Sequence, residues 1–514
     1  MMRKKNFKNQ IMQGIGVVVA LLVAQSCTDL EPQFGDSVSV ESDSGAFGGV
    51  ANATNALETL YNGVENMGDQ ANEYALMEVS ADGIAVLTRG VDWSDNGIWR
   101  TLHNHTWDAQ HNYVRTAWNN RNAEVLSATQ LLDPASGASG AIAAQARVLR
   151  AFNMFWILDW FGKVPFRGVN DGVDVNPEVL ESQAAFDFIL DDLNTAISSG
   201  NLSSHGPNSD SATLAQAGEA MARMLRAKLQ LNGEAFTGSA GDMNAVISDV
   251  NAIEDLGYSL DPGTGPNGYF DIWDLDVTNT EVIWIMDTFA GNRMWNMLHP
   301  NQGGWNGFVT LTENFRLFGT ENPAEDARIG LAGPDVNGVA VGYLRGQQLD
   351  ASGAIIQDRQ GNNLVFENEL LQSLEVNNER TGLRLIKYPQ RGADGRPNPS
   401  NNAVFFRFTD AVLMRAEATL RGGSGSPNTA LVDVNNVRTR AGAAPLGSVA
   451  LDDMLDIRMR ELNAENWRRQ DQVRFGAFAG TWELKTVTEE FRRKYPIPAD
   501  AIATNPNLTQ NEGY

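Results

Sequence analysis

Cysteine is almost absent: Cys27 is the only one in 514 residues. A lone thiol cannot close a disulfide within the chain or build a thiolate metal site. Positive charge is scarce too, with 39 Lys and Arg against 63 Asp and Glu and a formal net charge of −24. Arg3, Lys4, Lys5 and Lys8 all fall within residues 1–26, which hold no acid, so the rest of the chain stands at −28. Such a chain repels polyanions at long range. No basic run with interleaved aromatics occurs, and no nucleic-acid partner is expected. Nor does any run approach the ~20 apolar residues that a membrane-crossing helix needs.

Catalytic signatures are equally thin. No His-Glu-x-x-His occurs. His103, His105 and His111 are close in sequence, but residues two apart on a helix point about 200° apart and cannot share an ion, whereas on a strand they could. Hydrogen-bonded histidines near a helix start are expected there, rather than zinc. Gly423-Ser424-Gly425 only approximates a nucleophile elbow and lacks its strand–turn–helix setting. Asp271, Asp274 and Asp276 could contribute to a structural calcium site, although the Gly and distal Glu of an EF-hand are missing. No other cofactor is expected, and the chain reads as a non-enzyme.

What is present begins with an export signal. Four basic residues precede an apolar run over residues 11–24, too short to span a bilayer but right for a signal-peptide core. Ala24-Gln25-Ser26-Cys27 follows, a small residue before cysteine as a lipoprotein signal peptidase requires. Cys27 is therefore the expected lipid attachment point, and two or three acyl chains there would anchor the protein stably. Residues 1–26 read as the signal peptide. Residues 27–50, rich in Ser, Gly and Asp, read as a flexible tether.

From residue 51 the helical period appears, with Ala53, Leu57, Leu60, Tyr61 and Val64 on one face. Further helices are expected near residues 113–132, 141–161, 184–197 and 214–231. This N-terminal helical region, 51–256, suggests stacked antiparallel pairs of the tetratricopeptide kind. Residues 257–405 are rich in Gly, Asn, Pro and Trp, with strand-like runs at 281–286 and 404–408. A long loop-dominated stretch inside a helical frame is where binding surface is usually built. Helices return at 410–421, 428–441 and 451–475, and residues 257–514 are expected to pack with the rest as one globule. The fold class is mainly α: a tetratricopeptide-like helical scaffold with an inserted, irregular, mixed α/β binding region.

Twelve tryptophans occur. Indole faces stack on the C–H faces of sugar rings, and Trp is seldom exposed without a reason. Trp107, Trp118, Trp156, Trp160, Trp273, Trp284 and Trp467 sit in apolar or helical context and are expected in the core; Trp482, after a Gly turn, stays open. Trp93, Trp99, Trp295 and Trp305 lie in polar, Gly- and Asn-rich loops. They are the candidate ligand contacts, with Asp95, Asn96, Arg100, Arg293, Asn296 and Asn306 as hydroxyl partners.

Five segments then resemble the SusD/RagB family. Residues 407–418 carry Arg407, Asp410, Leu413, Arg415, Ala416, Glu417 and Ala418. Residues 434–442 read Val-Asn-Asn-Val-Arg-Thr-Arg-Ala-Gly. Residues 458–476 include Arg460-Glu461-Leu462, Arg468-Arg469-Gln470-Asp471 and Arg474-Phe475-Gly476. The ending has Tyr495-Pro496-Ile497-Pro498, Asn505-Pro506-Asn507-Leu508-Thr509-Gln510-Asn511 and Gly513-Tyr514. In the N-terminal half, residues 144–165 run from Ala144 through Leu149-Arg150-Ala151 to Phe161-Gly162-Lys163-Val164-Pro165. The resemblance implies a lipid-anchored protein on the outer face of an outer membrane. It would capture an oligo- or polysaccharide without catalysis and deliver it to a SusC-like TonB-dependent transporter. Peptide capture for the same kind of transporter is the alternative within binding, and a surface glycan hydrolase the alternative outside it. The arginines of these motifs read as scaffold, satisfying helix-end carbonyls or pairing with Glu461 and Glu465.

Overall fold

The computed structural model describes residues 39–41, 46–171, 175–264, 267–274, 279–289, 295–320, 322–330, 339–390 and 402–514. The signal segment, Cys27, Asp276 and Arg293 lie outside the described residues.

The first long helix, α1, runs Ala53–Glu65, and Asn52 caps it by accepting from Asn55 N. Then come α2, Asn112–Leu132, and α3, Gly140–Phe161, stopped by Gly162 in the left-handed conformation. After them are α4, Gln183–Ser198, α5, Glu219–Leu231, and α6, Met243–Asp255. The C-terminal set is α7, Phe408–Leu420, α8, Ala430–Arg440, α9, Met454–Leu462, and α10, Arg468–Arg474. Consecutive helices pack as neighbours: α2 on α3, α3 on α4, α5 on α6, and α7 on both α6 and α8. This is the mainly α, tetratricopeptide-like frame expected from the periodicity.

Phe47–Val50 forms a strand inside the stretch expected to be a flexible tether, and three of the longer helices differ from the sequence expectation. Helix α6 was not anticipated, although Val246, Ile247, Val250 and Ile253 keep helical spacing and are buried. Residues 214–231 do not form one helix, because Ser211–Leu214 is a separate turn and α5 starts at Glu219. The expected helix over 451–475 breaks between α9 and α10, where Ala464 and Asn466 take φ of 64° and 78°.

Helix α3 is the centre of the molecule, with every residue from Val148 to Phe161 buried. Each large apolar side chain so buried contributes about 1.5–3 kcal/mol. Trp156 stacks on Trp467, with ring centres 5.4 Å apart. Lys228 Nζ lies 3.6 Å from the centre of the Trp467 ring and pairs with Asp410 at 2.6 Å. All seven tryptophans expected in the core are buried, and so is Trp482.

The irregular region is built from short two-stranded antiparallel ribbons. Val282–Phe289 pairs with Asn402–Arg407, so the two strand-like runs seen in the sequence are partners. Ile84–Val86 pairs with Phe308–Thr310, and Gly342–Leu344 with Arg384–Ile386. At the N-terminal edge, Phe47–Val50 lies against the turn between α2 and α3. There Val50 N donates to Ser136 Oγ at 3.0 Å, and Phe47 N donates to Asn170 Oδ1 at 3.2 Å.

Candidate functional site

The ribbon of Ile84–Val86 and Phe308–Thr310 sets Val86 opposite Phe308. One residue on, Leu87 N still donates to Gly307 O at 2.9 Å. The two chains then part into loops, and those loops carry tryptophans. The indole Nε1 of Trp93 donates to the carbonyl of Trp305 at 2.8 Å. Trp305 N donates to the carbonyl of Trp295 at 2.6 Å, and the indoles of Trp295 and Trp305 lie 6.3 Å apart, tilted by 47°. Trp93 lies 6.0 Å from Trp99, and each meets Phe308 edge-on at 5.5 Å. All four tryptophans therefore join one aromatic assembly, Trp99 from the short helix Ile98–His103 rather than from a loop. Trp99 is its base, 3% exposed, and Trp305 its outer face, 51% exposed. Trp93 and Trp295 are half-buried.

The Trp93 loop is held in an unusual backbone. Trp93, Asp95, Asn96 and Gly97 have φ of 61°, 36°, 52° and 82°. Left-handed non-glycine residues cost on the order of 1–3 kcal/mol each and cluster at functional sites. Asp95 offsets part of this by accepting from Trp99 Nε1 at 2.7 Å.

The polar residues proposed from sequence divide into two groups. Asp95 and Asn96 are exposed on the Trp93 loop. Arg100 is partly exposed and pairs with Glu375 at 3.3 Å. Asn296 and Asn306 face inward. Asn296 is fully buried and donates to Gln70 Oε1 at 3.0 Å. Asn306 donates to Glu379 O at 3.0 Å, accepts from Arg384 Nη2 at 2.7 Å, and its carbonyl accepts from Arg89 Nε at 2.6 Å. Arg89 and Arg384 are themselves buried and wrapped in carbonyls, including that of Thr381 for both. Burial pushes the Arg89 pKa down to about 9. These two cations tie the strand-pair loops to residues 378–382.

Three residues beside the assembly carry no signal that the sequence reading used. His299 Nε2 meets Glu379 Oε2 at 2.9 Å, and Arg359 donates through N to the same oxygen at 2.8 Å. Arg359 Nε pairs with Glu379 Oε1, and its Nη2 reaches Asp92 at 3.2 Å. Arg359 so joins the loop of Trp93 to the loop of Glu379, whose carbonyl already holds Asn306. Burial works against the Glu379 carboxylate, but the bonds from His299 and Arg359 hold its pKa below the usual value.

Residues 310–514 match the SusD family model. The chain resembles the starch-binding protein SusD of Bacteroides thetaiotaomicron, 33% identical over a 159-residue alignment that covers 28% of each chain. That match therefore spans little more than a quarter of the curated relative's length. Solved structures share the fold far more widely. Surface glycan-binding protein A from Bacteroides thetaiotaomicron, in complex with laminarihexaose, is 20% identical; the likeness covers 89% of this chain and 98% of that one at a TM-score of 0.65. A SusD-like protein from Bacteroides fragilis is 17% identical, with 90% and 96% covered and a TM-score of 0.66.

Within residues 310–514 the motif arginines serve as scaffold. Arg440 pairs with Glu281 at 2.7 Å and Glu461 at 2.5 Å. Arg458 pairs with Asp410 and Asp471. Arg438 donates to Ala444 O and Arg460 to Leu317 O. The three histidines do not converge. His103 Nε2 meets Glu483 O, His105 Nε2 meets Ser80 O, and His111 Nε2 meets Ile98 O. Burial pushes the His103 pKa down to about 4. Among the described residues no group of three or more His, Cys, Asp or Glu is arranged to hold a metal ion. Asp271 accepts from Thr264 N at 2.9 Å, Asp274 is buried, and Asp276 is outside the described residues. No helix among the described residues is long and apolar enough to cross a membrane.

Proposed function

We propose that this chain captures a neutral oligo- or polysaccharide on the surface formed by Trp93, Trp295 and Trp305, and delivers it without chemical change to a SusC-like TonB-dependent transporter. In this reading Cys27 carries the lipid that anchors the protein to the outer face of the outer membrane.

The observation that carries the reading is the convergence of four tryptophans from two separate segments, 93–99 and 295–305, with the Trp305 ring half open to solvent. Tilted, partly exposed indoles present apolar faces of the size of a sugar ring. The family of residues 310–514 and the glycan-bound structural relative support it.

Binding is favoured over hydrolysis by the state of the nearby carboxylates. A glycosidase keeps one carboxyl protonated and a second free to act. Here Asp92 and Glu379 are engaged by Arg359, Glu375 by Arg100, and Asp95 by Trp99. Incubation with a glycan panel, followed by both calorimetric titration and product sizing, tests the reading. Binding lost in Trp305→Ala with no shortened product supports it; shortened glycan overturns it. Fatty-acid labelling that persists in Cys27→Ala would overturn the anchor.

A further inference from the structure

We propose that Asp92 and Arg359 form a hydroxyl-recognising pair beside the aromatic platform, reading a vicinal diol on an uncharged sugar. This rests on the glycan-capture reading above.

The two side chains are ion-paired at 3.2 Å and both about half exposed, Arg359 at 47% and Asp92 at 49%. They are also pre-oriented. Arg359 is gripped from behind by the Glu379 carboxylate, which is 5% exposed, and Glu379 is fixed in turn by His299. Asp92 precedes Trp93 in the chain. Glu379 holds Asn306, the residue after Trp305. The pair therefore adjoins, through chain neighbours, both Trp93 and Trp305, and the Trp93 indole donates to the Trp305 backbone carbonyl.

The chemistry follows from what each group has left. Arg359 Nη2 and Nε are engaged, whereas Nη1 has no partner among the described residues. A planar guanidinium donates in a fixed fork, and Asp92 keeps acceptor lone pairs facing solvent. A vicinal diol offers matching acceptor and donor oxygens on adjacent carbons. A ring lying on Trp93 or Trp305 would bring such a pair of hydroxyls to its edge. The same geometry discriminates against anions. A uronate or sulfate would compete with Asp92 and Glu379 for one guanidinium, and would approach two carboxylates to do so.

Isothermal titration with laminarihexaose, maltohexaose and mannohexaose tests this on the wild-type chain, Asp92→Asn, Arg359→Gln, Arg359→Lys and Trp305→Ala. For the probe the wild type binds best, Asp92→Asn and Arg359→Gln should each weaken binding at least tenfold. Arg359→Lys, which keeps the charge but not the fork, should weaken it too. Near-ultraviolet circular dichroism of these variants should match the wild type, showing the indoles undisturbed. Wild-type affinity in Asp92→Asn and Arg359→Gln, with binding lost in Trp305→Ala, overturns the pair and leaves the platform. Weakened binding with an altered aromatic spectrum also overturns it, since the pair would then merely prop the loops. Weakening in Arg359→Gln with none in Trp305→Ala supports the pair and overturns the platform. A wild type that binds none of the three overturns both.

Discussion

Gly307 lies flat against the indole of Trp93: a Cβ added there would stand 2.2 Å from the ring. The constraint is one of space, since side-chain atoms of any size would displace the ring. Gly307→Ala should push Trp93 off its position and break its bond to the Trp305 carbonyl. Overpacking of this kind costs about 1–3 kcal/mol. Urea titration should show that loss, and glycan affinity should fall with it. Unchanged affinity in a folded Gly307→Ala would show that the Trp93 ring does not contact the ligand.

Charge predicts the response to salt. The chain is strongly acidic; Arg89 and Arg384 beside the platform are buried, and the partly exposed guanidiniums Arg100 and Arg359 are each paired with a carboxylate. Affinity should come from stacking and hydroxyl hydrogen bonds, which ions at ~0.15 M screen little. Neutral glucans or mannans should bind better than alginate or sulfated glycans, equally at low and high ionic strength. Tight, salt-sensitive binding to a polyanion would reverse the assignment of ligand class.

Glu124 on α2 predicts a pH effect on stability. Its carboxylate is pressed against Gly63 on α1, and Oε2 has no hydrogen-bond partner among the described residues. Burial pushes its pKa up to about 7, against the pull of Arg121. A raised carboxyl pKa means that the folded state favours the proton. That contribution is complete below the unfolded value of about 4.3 and is lost as pH rises through about 7. Glu124→Gln should therefore raise the melting temperature at pH 8, by an amount worth up to about 3 kcal/mol, and change little at pH 4. Equal melting at both pH values would show that Glu124 is solvated.

Glu461 should show the opposite sign. It accepts from Tyr269, Arg328, Arg407 and Arg440. Burial opposes its charge, but Arg440, Arg407 and Arg328 hold its pKa well below the carboxylate range. Asp471, likewise buried but beside Arg458 and Arg474, is held down at about 2. Their stabilisation is present above pH ~4 and lost as pH falls through the folded values. Glu461→Gln leaves guanidiniums buried without their partner, which typically costs about 3–5 kcal/mol. Denaturant titration at pH 7 should show it, and the gap from wild type should narrow towards pH 3. A gap that widens in acid would contradict the assigned charge state.

The helices were readable because burial repeats with the helical period, as Leu57, Leu60 and Val64 show on α1. The four loop tryptophans were readable as a class, since indoles in Gly- and Asn-rich loops are out of place unless used. Their partnership was not readable: Trp93 and Trp305 are brought together by the ribbon of Ile84–Val86 and Phe308–Thr310, three residues a side and far apart in sequence. Polar neighbours were harder. Asn306, at φ 56°, is an asparagine that its own turn needs, and sequence cannot separate that use from a ligand contact. Arg359 sits in a tight turn organised by Asp358, which accepts from Gln360 N and Asn362 N. Nothing local distinguishes it from any surface arginine, and its role depends on Glu379 and Asp92, brought to it by tertiary packing alone.

Helix α2 has the aromatic assembly at one end and the N-terminal strand at the other. Tyr113, in its first turn, meets Trp99 edge-on at 5.1 Å; the turn beyond its last residue receives Val50 at Ser136. Its 21 residues at 1.5 Å each make a strut of roughly 30 Å. That is about the thickness of a bilayer's hydrocarbon core. If the chain is anchored through Cys27 as proposed above, the indoles stand off by that distance from the edge where Phe47–Val50 joins the body. In that reading, a bulky polymer gripped at the far end of the strut would not compete for space with the anchor at the near end.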